Sequence, residues 1–185
     1  MKQIANLLFE AKILKEIPRS GYHFLGAGQE SVSEHSFFTT FIAYVMSQLE
    51  PGIDALKLIS MCLIHDLPEA RVGDLNSVHK NYVTADEPRA LADAARGLPF
   101  GRNLKDLMQE YSEGLSAEAR LAHDADQLAL ILELKGLIDI GYSPPKTWIN
   151  NVIDRVKTKT GQKIVRAVMQ THRDDWWLNK YVDTD

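Results

Sequence analysis

The segment "LIHDLPEARVGD", Leu63 to Asp74, sets an imidazole, three carboxylates and a proline on what otherwise reads as apolar core. Burying a carboxylate is costly unless positive charge or hydrogen-bond donors compensate it, and a metal ion can supply that compensation. In a helix His65 and Asp66 project about 100° apart, while Glu69 returns to nearly the His65 direction one turn later, so three functional groups face one point. Pro68 has no backbone N–H and clashes with the carbonyl of Ile64, which predicts a helix end or kink just after the His-Asp pair and open space beside it. Two other segments carry polar groups where periodicity predicts burial: "SEH", with His35, and "HDADQL", with His123, Asp124 and Asp126. Two imidazoles and two carboxylates make a mixed nitrogen and oxygen site of intermediate hardness, suited to Mn²⁺, Co²⁺, Fe²⁺, Ni²⁺ or Zn²⁺ rather than Ca²⁺. Four protein ligands on an octahedral ion leave two positions open for water or a ligand atom. The competing reading makes His65 and Asp66 a hydrogen-bonded pair at a helix end, with Glu69 solvated.

The elements that must position these residues are helical. Apolar residues recur at helical spacing through Ile4, Leu7, Leu8, Ala11 and Leu14, then Phe38, Phe41, Ile42, Val45 and Leu49, then Leu56, Ile59, Leu63 and Ile64, with almost no strand-like alternation. Ser31, three residues before Glu34, has the pattern of a capping box, and Ser116 repeats the start signal before a long helix. Glycines and prolines fall between the periodic runs, so an all-α domain is expected over 1–185, with a core around 30–130 and C-terminal helices over 144–183. "IPRSGYHFLGAGQESV" is the longest expected loop, and long ordered loops in compact domains are often functional.

A chain of 185 residues can bury a sizeable core without disulfides. The lone Cys62 sits in an apolar run with nothing cationic nearby, which suits a reducing cytoplasm and not a reactive thiolate. A net charge of -4 and a pI near 5.9 argue against a nucleic-acid polymer as ligand, while leaving room for a small anion held by a metal and one or two basic residues. No signal peptide opens the sequence, and no apolar stretch is long enough to cross a membrane.

The ordered segments "LKEIPRSGY", "ESVSEH", "LIHDLPEARVGDL" and "SAEARLAHDADQL" resemble the HD-domain metal-dependent phosphohydrolases, and within them the 5′-deoxynucleotidase group. The resemblance covers roughly the first three quarters of the chain. It implies one divalent ion on His35, His65, Asp66 and Asp126, with Asp124 and His123 as a decoy His-Asp pair on the same helix. It further implies attack of metal-activated water on the phosphorus of a nucleoside monophosphate, with Glu69 moving a proton as general acid or base. Asp74 matches the acid that orients water or substrate; its competing role is an ordinary helix N-cap. Arg19 matches the substrate arginine, whose planar guanidinium suits a phosphate. Bacterial members place a Trp directly after that arginine to crowd the sugar 2′ position, whereas Ser20 stands here and the nearest aromatic is Tyr22, the second substrate-binding candidate; this departure leaves selection of deoxyribose open. His23, His79 and His172 match no metal position and read as surface or loop residues. Trp148, Trp176 and Trp177 read as core or interface aromatics, and a homodimer is expected from the habit of relatives. The competing functions are a nucleotide tri- or pyrophosphohydrolase, which would need more basic residues than Arg19, a non-catalytic scaffold, and a redox-iron oxygenase, which would need further histidines.

Overall fold

A computed structural model describes residues 1–178, and its order of elements is all-α. The helices are α1 (Lys2–Ile13), α2 (Tyr22–Leu25), α3 (Val32–Leu49), α4 (Ala55–Ile64), α5 (Glu69–Val72), α6 (Glu87–Ala95), α7 (Gly101–Glu113), α8 (Ala117–Asp139), α9 (Lys146–Ile153), α10 (Lys159–Gln170) and α11 (Asp175–Leu178). A short 3₁₀ turn spans His79–Asn81, and an isolated antiparallel bridge joins Pro18 to Ser31 across the expected long loop. The C-terminal helices thus begin within the expected 144–183 range, whose residues 179–183 lie outside the described residues.

α8 is the central element, packed against α3, α4, α7, α9 and α10. Its buried face carries Ala119, Ala122, Ala125 and Ala129, small residues that let neighbouring backbones approach closely, alongside Leu128, Ile131 and Leu134. Met46 of α3 and Leu58 and Met61 of α4 fill the space opposite. A second apolar cluster, built on Leu14, Val32, Leu67, Leu91, Leu98 and Leu104, gathers under α1, α6 and α7.

Local signals in the sequence set the helix starts. Ser31 donates its backbone N–H to Glu34 at 2.7 Å and its Oγ accepts from Glu34 N at 3.2 Å, a complete capping box at the start of α3. Ser116 caps α8 in the same sense, its side chain accepting from Ala119 N at 3.1 Å. α4 stops at Ile64 with His65 as its C-cap, because Pro68 cannot continue the ladder. After α5 the chain turns at Gly73, whose φ of 76° and ψ of 162° lie in a region essentially reserved for glycine, and the turn delivers Asp74 back toward the Arg19 loop.

Apolar periodicity overstated burial on three helices. Phe41 and Leu49 of α3 and Leu56 and Leu63 of α4 are exposed, as is Leu8 of α1. The stripes are wider than the neighbouring helices can cover.

Asp124, the other carboxylate of "HDADQL", is 1% exposed and accepts from Lys157 N at 2.8 Å and Thr158 N at 2.7 Å, tying α8 to the start of α10. Gly161 permits this approach, since a Cβ there would meet Asp124 Oδ2 at 2.5 Å. Hydrogen bonds to a charged acceptor contribute about 1.5–3 kcal/mol each, and removing the acceptor strands buried donors. Asp124→Ala is therefore expected to lower unfolding free energy by about 3 kcal/mol in a urea titration; a change below about 0.5 kcal/mol would reject this role.

Candidate metal centre

Three elements deliver the polar cluster: α3 supplies His35, the end of α4 supplies His65, and α8 supplies Asp126. One ligand atom from each lies within 4.8 Å of the other two, and both histidines are buried. The Nδ1–H of His65 donates to the Cys62 carbonyl at 2.8 Å, so in the neutral ring the lone pair sits on Nε2. That Nε2 is buried and makes no well-aligned hydrogen bond, although the Asp66 carboxylate stands 3.2 Å away, an arrangement suited to two ligand atoms flanking a cation. His35 Nε2 lies 2.9 Å from Asp126 Oδ1, a hydrogen bond whose proton a metal ion would displace, and its Nδ1 faces Glu30 Oε2 at 3.8 Å.

Asp66, in the turn after α4, stands beside this trio without completing it. Its Oδ2 is 3.2 Å from His65 Nε2 and 3.8 Å from His35 Nε2, and it also accepts from Arg19 at 3.3 Å. The donor set of two imidazoles and adjoining carboxylates fits a first-row divalent ion.

Charge is strongly coupled across the cluster. Burial works against the carboxylate of Asp126, yet the hydrogen bond from His35 and the His65 charge hold it well below the usual carboxylate range. Burial likewise opposes a proton on His65, but the adjoining Asp66 outweighs it and pushes the imidazole up to about 9. Glu69 moves the other way from Asp126: burial first, then the negative charges of Asp66 and Asp74, push its carboxyl up to about 8. Its Oε2 is buried with no partner.

Arg19 and Asp74 meet beside Asp66. Asp74 accepts from Ser20 N at 2.7 Å and lies 4.0 Å from Arg19 Nε, so it holds the arginine loop in place. It caps no helix; the turn that follows is capped by Asn76, whose Oδ1 accepts from Val78 N and His79 N. Burial disfavours the Arg19 charge, but Asp66 and Asp74 more than offset it.

All of these groups open onto one cavity of about 760 Å³, large enough for a nucleotide-sized ligand. Tyr22 lines it, and its hydroxyl is buried without a partner. Several lining residues were not read from the sequence as part of the site. Lys80 and Arg155 add two cations, contrary to the expectation that Arg19 is the pocket's only base, while Trp148, Asn151 and Arg155 present one face of α9 and its end. Trp148 therefore combines core packing with a place on the cavity wall. A Trp, Asn and Arg at i, i+3 and i+7 was the only available signal, and it is weak on a surface helix.

The remaining histidines and the thiol lie apart from this chemistry. His23, His79 and His172 are exposed. His123 stacks on Tyr111 with ring centroids 4.2 Å apart, and its Nε2 pairs with the Tyr111 carbonyl at 2.8 Å. Cys62 is fully buried, and burial pushes its thiol well above the usual range, so it is inert.

Residues 11–168 match the family model described as HD domain. The human protein named 5′-deoxynucleotidase HDDC2 is 28% identical over 137 residues, covering 71% of this chain and 66% of that protein. Its Dictyostelium discoideum counterpart is 31% identical over 132 residues, covering 65% of this chain and 70% of the relative. The chain thus spans about two thirds of the length of these curated relatives. A solved structure described as a conserved hypothetical protein from Pyrococcus furiosus superposes with a TM-score of 0.77 at 26% identity, over 90% of this chain and 99% of that one. A match running from the end of α1 into α10, laid over a fold that brings both histidines and Asp126 together, makes this chain a member of the HD-domain family.

Proposed function

We propose that the protein is a metal-dependent phosphomonoesterase that releases phosphate from nucleoside 5′-monophosphates, deoxynucleotides among them. The observation that carries this reading is the placement of the His35, His65 and Asp126 cluster in the same cavity as Arg19 and an unpartnered Glu69 carboxyl. The names of the curated relatives supply the nucleotide half of it.

His35, His65, Asp66 and Asp126 would hold one divalent ion, drawn from Mn²⁺, Co²⁺, Fe²⁺, Ni²⁺ and Zn²⁺, with Asp66 leaving its hydrogen bond to Arg19 in part to do so. When bound, such an ion supplies Lewis acidity at the phosphate. Arg19, released toward the cavity, pairs with the phosphate oxygens, and Asp74 keeps its loop in position. Water forms the new bond to phosphorus as the bond to the sugar 5′ oxygen breaks, and Glu69 Oε2 manages the proton that leaving oxygen needs. The products are a nucleoside and inorganic phosphate. A homodimer completes the reading; Phe37, Phe41 and Tyr44 of α3 and Leu56 and Leu63 of α4 are exposed apolar side chains of the kind such an interface covers.

The presence of Lys80 and Arg155 in the cavity favours, as a second reading, a nucleotide carrying more than one phosphate. Incubating the protein with nucleoside mono-, di- and triphosphates, several divalent metals and an EDTA control separates the two. Free phosphate from monophosphates alone is the expected result, with a dimer mass by light scattering of the same preparation. Diphosphate or triphosphate release would favour the second reading, and no turnover with any metal would favour a scaffold.

A further inference from the structure

Gln127 follows Asp126 on α8 and lines the cavity. Its Nε2 donates to Asp126 Oδ2 at 2.8 Å, on the carboxylate whose other oxygen pairs with His35. This contact fixes the orientation of the amide, because turning it over would set two oxygens against each other. The free end is therefore Oε1, and it is buried with no hydrogen-bond partner. A buried carbonyl oxygen without a donor is unfavourable, so the site is built to receive one.

The chemistry of that donor can be narrowed. A phosphate dianion presents acceptors only, so the donor belongs to another part of the ligand. None of the cavity's own donors, Arg19, Lys80, Arg155 and the Tyr22 hydroxyl among them, reaches Oε1. Oε1 stands one amide width from the Asp126 carboxylate, so its partner belongs to the part of the ligand next to the reacting phosphate. In a nucleotide that part is the sugar and not the base. The 3′-hydroxyl lies nearer along the ring to the 5′ carbon than the 2′ position does, and it is the one ring hydroxyl that a deoxynucleotide retains.

We infer that Gln127 is a specificity residue that accepts a hydrogen bond from the 3′-hydroxyl of the substrate sugar while its amide nitrogen steadies Asp126. This rests on the nucleotide reading above, and it adds a selection for the hydroxyl that Tyr22 and Ser20 were not able to suggest. The two roles separate in a cycle of substrate against side chain. Loss of support for Asp126 lowers turnover of every phosphate ester alike; loss of the hydroxyl contact lowers only the substrate that has the hydroxyl.

The test compares kcat/KM for thymidine 5′-monophosphate and its 2′,3′-dideoxy analogue, in the wild type and in Gln127→Met, with p-nitrophenyl phosphate as a sugar-free control. The wild type is expected to favour the hydroxylated substrate by about ten-fold or more, and Gln127→Met to reduce that ratio to about three-fold or less. An equal ratio in both proteins overturns the inference while leaving the nucleotidase reading intact. Should Gln127→Met not fold, the same ratio is read in Gln127→Ala, and a wild type indifferent to the 3′-hydroxyl overturns the inference by itself. Turnover of p-nitrophenyl phosphate without turnover of either nucleotide defeats the nucleotide reading, and the inference with it.

Discussion

Asp126→Ala is expected to cost at least about 10³-fold in phosphate release and to strip the divalent ion from the purified protein. The carboxylate closes the cluster from α8, with Oδ1 2.9 Å from His35 Nε2, and the other carboxylate on that stretch of α8, Asp124, cannot replace it because it faces the start of α10. Metal content by elemental analysis and phosphate release from the preferred monophosphate are the two readouts. The contrast with Asp124→Ala sharpens the prediction: two residues apart on one helix, one variant loses metal and activity, and the other loses stability. Asp126→Ala that kept its metal and more than a tenth of wild-type turnover would remove Asp126 from the ligand set.

Glu69→Gln is expected to lower kcat by about 10²–10⁴-fold, the usual worth of a positioned acid or base, while leaving the metal bound. The amide is nearly isosteric, so the cavity keeps its shape, but it can no longer exchange a proton at Oε2. A second readout comes from the metal-free protein. There the folded state holds the Glu69 proton up to about 8, far above its ordinary value of 4.5. A carboxyl whose pKa is raised by folding contributes stability that is complete below the unfolded value and is lost as pH rises through the folded one. Between about 4.5 and 8 the metal-free wild type should therefore lose stability with rising pH through this group, and Glu69→Gln should flatten that part of the profile. Full activity in Glu69→Gln would reject the proton-transfer role, and an unchanged stability profile would reject the buried, protonated carboxyl.

Residue types and short-range spacing determined much of the protein. Ser31 with Glu34, and Ser116 ahead of "AEARL", mark helix starts because a cap is a contact across three residues. Pro68 ends α4 because its ring and missing N–H act on the turn it belongs to. The absence of strand alternation gave an all-α chain, and the four ordered segments gave the HD resemblance that the family match bears out. What no local signal could decide was the rotational phase of α8 against α3 and α4. Asp124 and Asp126 are separated by about 200° around that helix, so packing alone sends one to the N-terminus of α10 and the other to His35. The same phase brings Gln127 Oε1 to the cavity, and the path of the chain after α8 brings Trp148 and Arg155 to its wall. Such placements depend on contacts between residues tens of positions apart, which periodicity cannot express, and so the tertiary structure decided them.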